Sequence, residues 1–311
     1  MISLVMSTYN GAQYIIEQLD SIKNQTRKVD EVIIIDDNST DETFSIIKEY
    51  ILKNDLDWIV KKNLINLGWK RNFFESIKMT TGDIVFLCDQ DDIWDNNKIE
   101  YMAKCFEDNK KIKLLQSNYE IYYYKKSTNI RQKIRTIIDN ISHKKSKNSL
   151  VIKQRKIKPD FLHQEPGCVM AFKKELFTKY EKFWNINIGH DLQLTIFSLL
   201  DDSYFKFDYS SIKWRRHINN ASTPEQFNCK KREIELTEND FIFSIIRIII
   251  QNNDIVMSRK FYKYLRNSER LNNIRKKVVI EKRKLYWFFY FVYFRYFVRK
   301  RDIVSDLKYA K

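Results

Sequence analysis

Glycine and proline are scarce in this chain, five and three among 311 residues. So few turn formers argue against a loop-rich or disordered protein and for long regular elements around a sizeable core. Cysteine is nearly as rare. Cys88, Cys105, Cys168 and Cys229 are widely spaced and form no C-x-x-C pair, so neither a zinc site nor a dithiol redox motif is indicated. Reduced thiols in a cytoplasm are expected. The start, Met1-Ile2-Ser3-Leu4-Val5, has no basic stretch ahead of its apolar residues, and no signal peptide is expected. The aromatic run Leu285–Phe294 is too short to span a bilayer, which takes ~20 apolar residues.

Acidic residues are scarce in two long stretches. Residues 255–311 hold 17 Lys and Arg against 4 Asp and Glu, and residues 125–158 hold 12 against one. The whole chain carries a net charge of +16, so what remains outside these stretches is net acidic. An acidic core with two basic additions is the organisation implied. The aromatics form one block rather than being interleaved across a basic face, so nucleic acid is not an expected partner.

What is present is a regular alternation. Ile2–Met6, Val32–Ile35, Trp58–Val60 and Ile84–Cys88 read as apolar strands. Between them, helical spacing joins Tyr14, Ile15, Leu19 and Ile22, then Phe44, Ile47 and Ile51, then residues 70–79. Strands apolar throughout and separated by helices predict an α/β fold with a mostly parallel sheet covered on both sides. Leu114–Tyr124 reads as a long strand or strand pair, Cys168–Phe172 as a strand, and Glu175–Trp184 and Asp191–Leu200 as helices. Phe205–Tyr209 and Ile212–Trp214 read as two short strands, and the chain beyond Thr223 as helical.

Polar clusters follow the strands: Ser7-Thr8-Tyr9-Asn10-Gly11, Asp36-Asp37-Asn38-Ser39-Thr40-Asp41 and Asp89-Gln90-Asp91-Asp92. All three fall on the carboxyl edge of the sheet, where ligands bind in such folds. The last is the most telling. Close carboxylates repel one another, and hard cations such as Mn²⁺ or Mg²⁺ take oxygen ligands, usually together with substrate phosphates. Asp-x-Asp at a strand end is therefore a clamp for a metal–diphosphate, or else Asp91 or Asp92 caps a helix beginning near Ile93.

These clusters, with Asn66-Leu67-Gly68 and Cys88-Asp89-Gln90-Asp91-Asp92-Ile93-Trp94, resemble the signatures of family 2 glycosyltransferases over about residues 2–220. Gly189-His190-Asp191 resembles the family's acidic motif opening the acceptor helix, with His190 where many members have Glu. Trp214-Arg215-Arg216-His217-Ile218-Asn219-Asn220 resembles the tail motif of the branch that includes bacterial rhamnosyltransferases of surface polysaccharide synthesis, with Ile218 where Gly is common.

The resemblance implies a GT-A (Rossmann-like) fold and an inverting, metal-dependent transfer from a nucleoside-diphosphate sugar. It implies that Tyr9 stacks on the nucleobase with Thr8 nearby, and that Asp36 and Asp37 accept from base or ribose. Arg71 reaches base or phosphate. Asp89 meets the ribose or a metal-bound water, Asp91 ligates the metal, and Asp92 caps the next helix. Asp191, at a helix start whose dipole favours the ionised form, is the expected general base. His217 completes the metal shell or meets the diphosphate, with His190, Arg215 and Arg216 near acceptor or diphosphate.

The expected organisation is a catalytic domain over 1–222, split into a nucleotide-sugar half (1–110) and an acceptor half (111–222), followed by a basic, aromatic helical extension over 223–311. The donor is dTDP- or UDP-linked. The acceptor is a glycan carried on a polyprenyl diphosphate, and the extension meets an anionic membrane surface or a second subunit as a homodimer. The location is the cytoplasm, at the inner face of a bacterial plasma membrane. A UDP-hexose-dependent transferase acting on another acceptor is the alternative. A nucleotidyltransferase is a more distant one, since no Gly-rich, Lys- or Arg-bearing loop follows the first strand.

Overall fold

Buried on both faces, the apolar runs of the first half form a parallel sheet. The structure is a computed structural model that describes residues 1–123, 150–163, 165–217, 229–252 and 257–297, with 303 and 306. β1 (Ile2–Thr8) pairs in parallel with β2 (Glu31–Asp36), and β2 with β3 (Ile59–Lys62). β4 (Ile84–Asp89) lies parallel on the other side of β1. Leu4, Val5, Met6, Val85, Phe86 and Leu87 are fully buried. β3 begins a residue later than its apolar run and continues into Lys61-Lys62, half exposed. It is the sheet edge, where lysines discourage further strand addition.

Connecting helices are α1 (Ile15–Lys23), α2 (Thr43–Lys53), α3 (Trp69–Met79) and α4 (Lys98–Asp108). Alternate strand residues, including Leu4, Met6, Ile34 and Phe86, share one buried cluster with α1, α2 and α4, while α3 packs on β1 and β2. β5 (Ile93–Trp94), β6 (Leu114–Tyr123), β7 (Ile152–Gln154), β8 (Met170–Lys173) and β9 (Tyr204–Arg216) complete a nine-stranded sheet. Its order is β3-β2-β1-β4-β8-β6-β9-β5, with β7 also on β9. α5 (Lys174–Tyr180) and α6 (His190–Leu200) pack against each other.

Three expectations change. Ile93 and Trp94 do not begin a helix; they pair with Lys213 and Ile212 as β5, and α4 starts only at Lys98. The two short strands around Ser210-Ser211 are one, β9. Ser211 is buried, shares a 2.5 Å hydroxyl–hydroxyl bond with Ser117, and its carbonyl accepts from Asp95 N at 2.9 Å, so the polar pair does not turn the chain. The helix expected to reach Trp184 ends at Tyr180, with a 3-10 turn to Phe183.

The chain forms two compact units. The first comprises 1–155, 165–182 and 189–218, and the second comprises 156–164, 183–188 and 219–311. The 222/223 boundary, residues 124–149 of the basic segment, and the Ile218-Asn219-Asn220 end of the tail motif lie outside the described residues. In the second unit α7 (Cys229–Asn252) packs on α8 (Arg259–Val279). Ser258 caps α8 by accepting from Phe261 N at 3.2 Å. Buried Asp306 accepts from Arg275 Nε at 2.7 Å.

The aromatic block is not apolar all round. It forms 3-10 turns at Lys284–Tyr290 and Phe294–Tyr296. Tyr290, Tyr296 and Phe297 turn inward, while Leu285, Phe288, Phe289, Phe291, Val292 and Phe294 are exposed. Among the described residues no helix is long and apolar enough to cross a membrane.

Candidate active site

Parallel register places three loops on one edge. Thr8 lies beside Asp36 and Ser7 beside Asp89, so β1, β2 and β4 end together. The loops are then pinned from within. Asp36 is fully buried; it accepts from the Thr8 hydroxyl at 2.9 Å, the Ser39 hydroxyl at 2.5 Å and Ser39 N at 2.8 Å. Asp37, also buried, accepts from Leu67 N, Gly68 N and Asn63 Nδ2, each at 2.8 Å. It thereby folds the Asn66-Leu67-Gly68 turn, where Gly68 takes a φ of +80° that other residues rarely adopt. Asp36, Asp37 and Thr8 thus hold the loops of this edge together. Buried carboxylates must be satisfied, and here the loops' own donors do it.

Tyr9 follows β1 on the same edge. It is 46% exposed, and its backbone is gripped at both polar atoms by Gln90, which accepts from Tyr9 N at 2.8 Å and donates to Tyr9 O at 2.9 Å. These two bonds tie the acid cluster to the aromatic loop. Arg71, on the first turn of α3, is half exposed and 3.9 Å from Glu75.

The tail motif returns to the acid cluster along β9. Asp92 does not cap α4; its Oδ1 accepts from Arg215 N at 3.0 Å. Arg215 is fully buried, donating to Asp91 O at 2.7 Å and to Glu17 at 2.8 Å. Its guanidinium lies 5.3 Å and 5.2 Å from the ring centroids of Tyr14 and Tyr122. Arg215 thus braces the Asp91 turn from a buried position. Arg216 stacks on Trp214 at 4.5 Å and stays partly exposed. His217 Nε2 meets Asp91 Oδ2 at 2.8 Å, and its ring stacks on Tyr14 at 4.4 Å.

Two donor sets lie here. Asp89, Asp92 and Cys168 offer atoms within 4.8 Å of one another. Burial pushes the Asp92 carboxyl and the Cys168 thiol well above their ordinary values. Beside them Lys98, fully buried, donates to Cys168 O at 2.6 Å and lies 3.5 Å over Trp94. Its pKa is pulled down to about 8 by burial, which still leaves it largely charged at neutral pH. A thiol ligand and an internal cation beside the two carboxyls make a poor seat for a hard metal ion. Asp91 and His217, paired at 2.8 Å, offer oxygen and nitrogen instead, donor types that Mn²⁺ or Mg²⁺ accepts.

Asp89 is pushed up to about 7 by burial, then by the charges of Asp91 and Asp191. That coupling ties Asp191, on the first turn of α6, to the acid cluster. His190 differs. It is 4% exposed, edge-on to Trp69 at 5.6 Å and against Phe73 at 4.1 Å. Burial lowers its pKa to about 3. The imidazole is thus enclosed and neutral near pH 7.

The family model for Glycosyl transferase family 2 matches residues 3–180. The dTDP-rhamnosyl transferase RfbG of Shigella flexneri is 28% identical over 247 residues, covering 75% of this chain and 79% of that protein. The abequosyltransferase RfbV of Salmonella typhimurium is 37% identical over 94 residues, 30% of this chain and 28% of that one. Among solved structures, Staphylococcus aureus TarS 1–349 in complex with UDP-GlcNAc superposes with a TM-score of 0.64 at 15% identity, covering 99% of this chain and 86% of that one. The mannosyltransferase PcManGT of Pyrobaculum calidifontis, in complex with GDP-Man and Mn²⁺, does so at 0.55 and 18% identity, covering 86% and 68%. The fold is GT-A, and with more than half its length matched by the family model the chain belongs to glycosyl transferase family 2.

Proposed function

We propose that this chain transfers a sugar, with inversion, from a nucleoside-diphosphate sugar to a hydroxyl of a lipid-linked glycan in bacterial surface polysaccharide synthesis. The observation that carries this reading is the convergence of Asp89, Asp91, His217 and Asp191 beside the half-exposed Tyr9, on the edge where β1, β2 and β4 end. Tyr9 stacks on the nucleobase, with Arg71 in reach of base or phosphate. Asp89, Asp91 and His217 would hold Mn²⁺ or Mg²⁺, which would supply positive charge against the departing diphosphate. Arg216, partly exposed, adds positive charge on that side.

Asp191 accepts the proton of the acceptor hydroxyl as its oxygen attacks the anomeric carbon. A carbon–oxygen bond forms on one face. The bond to the diphosphate breaks on the other, and the nucleoside diphosphate leaves with the electron pair. The similarity to RfbG favours dTDP-rhamnose as donor, and a UDP-hexose is the alternative.

The exposed apolar side chains from Leu285 to Phe294 carry exposed Lys282, Arg283, Lys284 and Arg295 at their flanks. They suit shallow contact with an anionic membrane surface at the cytoplasmic face, where a polyprenyl-diphosphate-linked acceptor would reside. The test of the donor reading is a thermal-shift series with dTDP, UDP, GDP, CDP and ADP, with and without Mn²⁺. Stabilisation by dTDP or UDP that requires metal is expected. No response from any of them in folded protein overturns it.

A further inference from the structure

Trp69 stands apart from the machinery described so far. It opens α3 directly after Gly68 and is 42% exposed. Its ring is nevertheless fixed. A Cβ at Gly189 would lie 3.1 Å from its Cη2 and 3.6 Å from its Cζ3, so the indole rests on the Gly189 backbone. Below, it meets the ring of His190 edge-on, with centroids 5.6 Å apart and planes at 84°, and His190 is itself backed by Phe73. Around the point where that Cβ would stand, Asp191 Oδ1 lies at 2.5 Å. The edge of the indole and the carboxylate of Asp191 therefore adjoin.

Single exposed aromatics are ordinary on protein surfaces. This one differs in being held rigid beside the proposed general base. A flat apolar face next to a hydrogen-bond acceptor is complementary to a pyranose, which shows a C–H face and a rim of hydroxyls. Apolar area with a few placed polar groups is the usual make-up of a small-ligand site, and a preorganised platform loses little side-chain freedom on binding. The otherwise unexplained burial of neutral His190 fits the same picture. It supplies an apolar, aromatic support that a charged ring would disturb.

We propose that Trp69 is the platform on which the acceptor's terminal pyranose ring packs, placing one hydroxyl at Asp191. This rests on the transferase reading above and assigns the acceptor side of that site.

The test uses the full chain with Mg²⁺ and dTDP or UDP, and methyl pyranosides as acceptor probes: methyl α-L-rhamnoside, methyl β-D-glucoside and methyl N-acetyl-β-D-glucosaminide. Saturation-transfer NMR reads their contact with the protein, and calorimetry reads nucleotide binding separately. Trp69→Ala is expected to weaken binding of at least one pyranoside by about tenfold, with nucleotide affinity unchanged. Trp69→Phe is expected to keep most of it. Melting temperature is the control for folding, and Trp69→Leu, apolar but without an aromatic face and expected to weaken pyranoside contact likewise, carries the test if Trp69→Ala unfolds. Pyranoside contact undiminished in Trp69→Ala overturns the proposal, as does absence of pyranoside contact while nucleotide binds. Loss of nucleotide affinity with pyranoside contact intact overturns it too and places the indole on the donor side. Failure of the wild-type protein to bind any nucleotide would instead remove the transferase reading beneath it.

Discussion

His217 Nε2 and Asp91 Oδ2 lie 2.8 Å apart although 126 positions separate them in the chain. The contact exists because β5 turns back onto β9 directly after the acid cluster, with Ile93 beside Lys213. The strand that fixes one carboxylate thus also delivers the imidazole. An acidic oxygen and an imidazole nitrogen at this distance are either a simple hydrogen bond or two donors to one cation, and the two are separable by experiment.

If His217 is a metal donor, His217→Ala weakens Mn²⁺ binding by about 10–100-fold, a loss of the size seen when a metal site loses one of its supports. Metal-free nucleotide binding stays as it was. Mn²⁺ titration followed by electron paramagnetic resonance reads the difference, and an unchanged affinity assigns His217 to holding Asp91 alone.

Arg215 is expected to matter for stability rather than for phosphate. Its fully buried guanidinium faces Glu17, whose side chain is 51% exposed. Arg215→Met removes a buried charge and leaves Asp91 O without its side-chain donor and Glu17 without its partner, while the backbone bond from residue 215 to Asp92 stays; the loss costs about 3 kcal/mol. Glu17→Gln leaves the other bonds in place, and its screened carboxylate contributes less than about 1 kcal/mol. Urea unfolding of both variants gives the comparison. A normally stable Arg215→Met with poor donor binding would restore the phosphate role.

The sheet was legible because its strands are apolar throughout and its helices keep their period. Ile33, Ile34, Phe86 and Leu87 leave little other choice. The location of the site was legible for the same reason, since polar clusters after parallel strands converge on one edge. Roles within it were not. Asp36 and Asp37 look like ligands in sequence, but whether a carboxylate faces solvent depends on which backbone donors fold onto it, and Leu67 and Gly68 lie some thirty residues away. Gln90 sat inside the most conspicuous motif, yet its grip on Tyr9 depends on the β1–β4 register. Lys98 reads as a surface lysine at a helix start; only the path of Cys168 beneath the acid cluster makes it an internal counter-charge. The Ser210-Ser211 break misled because a buried hydroxyl pair satisfies what looked like a turn.

His190 gives the molecule an acid-sensitive step. Its folded pKa of about 3 lies below the ordinary 6.5 because burial penalises the charged ring. Between these values the unfolded chain binds a proton that the folded chain does not, so stability is full above pH 6.5 and is lost as pH falls. By pH 5 the loss from this residue alone is about 2 kcal/mol. His190→Leu is expected to flatten that limb of the pH–stability curve, measured as urea midpoints from pH 5 to pH 8. An unchanged slope would mean that the ring is already reached by water or a donor.

The exposed face of the aromatic turns predicts a charge-dependent surface interaction. Wild-type protein is expected to sediment with vesicles containing phosphatidylglycerol and not with pure phosphatidylcholine, and to be released as salt shortens the screening length. Phe288→Glu with Phe291→Glu places two charges where apolar area is exposed, and should reduce vesicle binding by about tenfold or more without altering nucleotide affinity. Self-association that masks the same face would appear as a concentration-dependent dimer in sedimentation velocity, and the same pair of substitutions would dissolve it.

Asp191→Asn separates binding from chemistry. The amide keeps the size of the side chain and its bond from Leu192 N, which Oδ1 accepts at 2.8 Å, so α6 should start as before. What it loses is the ability to take a proton. Transfer is therefore expected to fall by about 10²–10⁴-fold, with the affinity for nucleoside diphosphate and metal preserved. A second effect follows from the neighbouring acid. Asp191 is one of the charges that hold Asp89 high, so neutralising it should ease ionisation of Asp89 and strengthen metal binding slightly. Reduced transfer with equal or tighter Mn²⁺ binding is the signature of a base on the acceptor side. Collapse of donor affinity would place the carboxylate on the nucleotide instead.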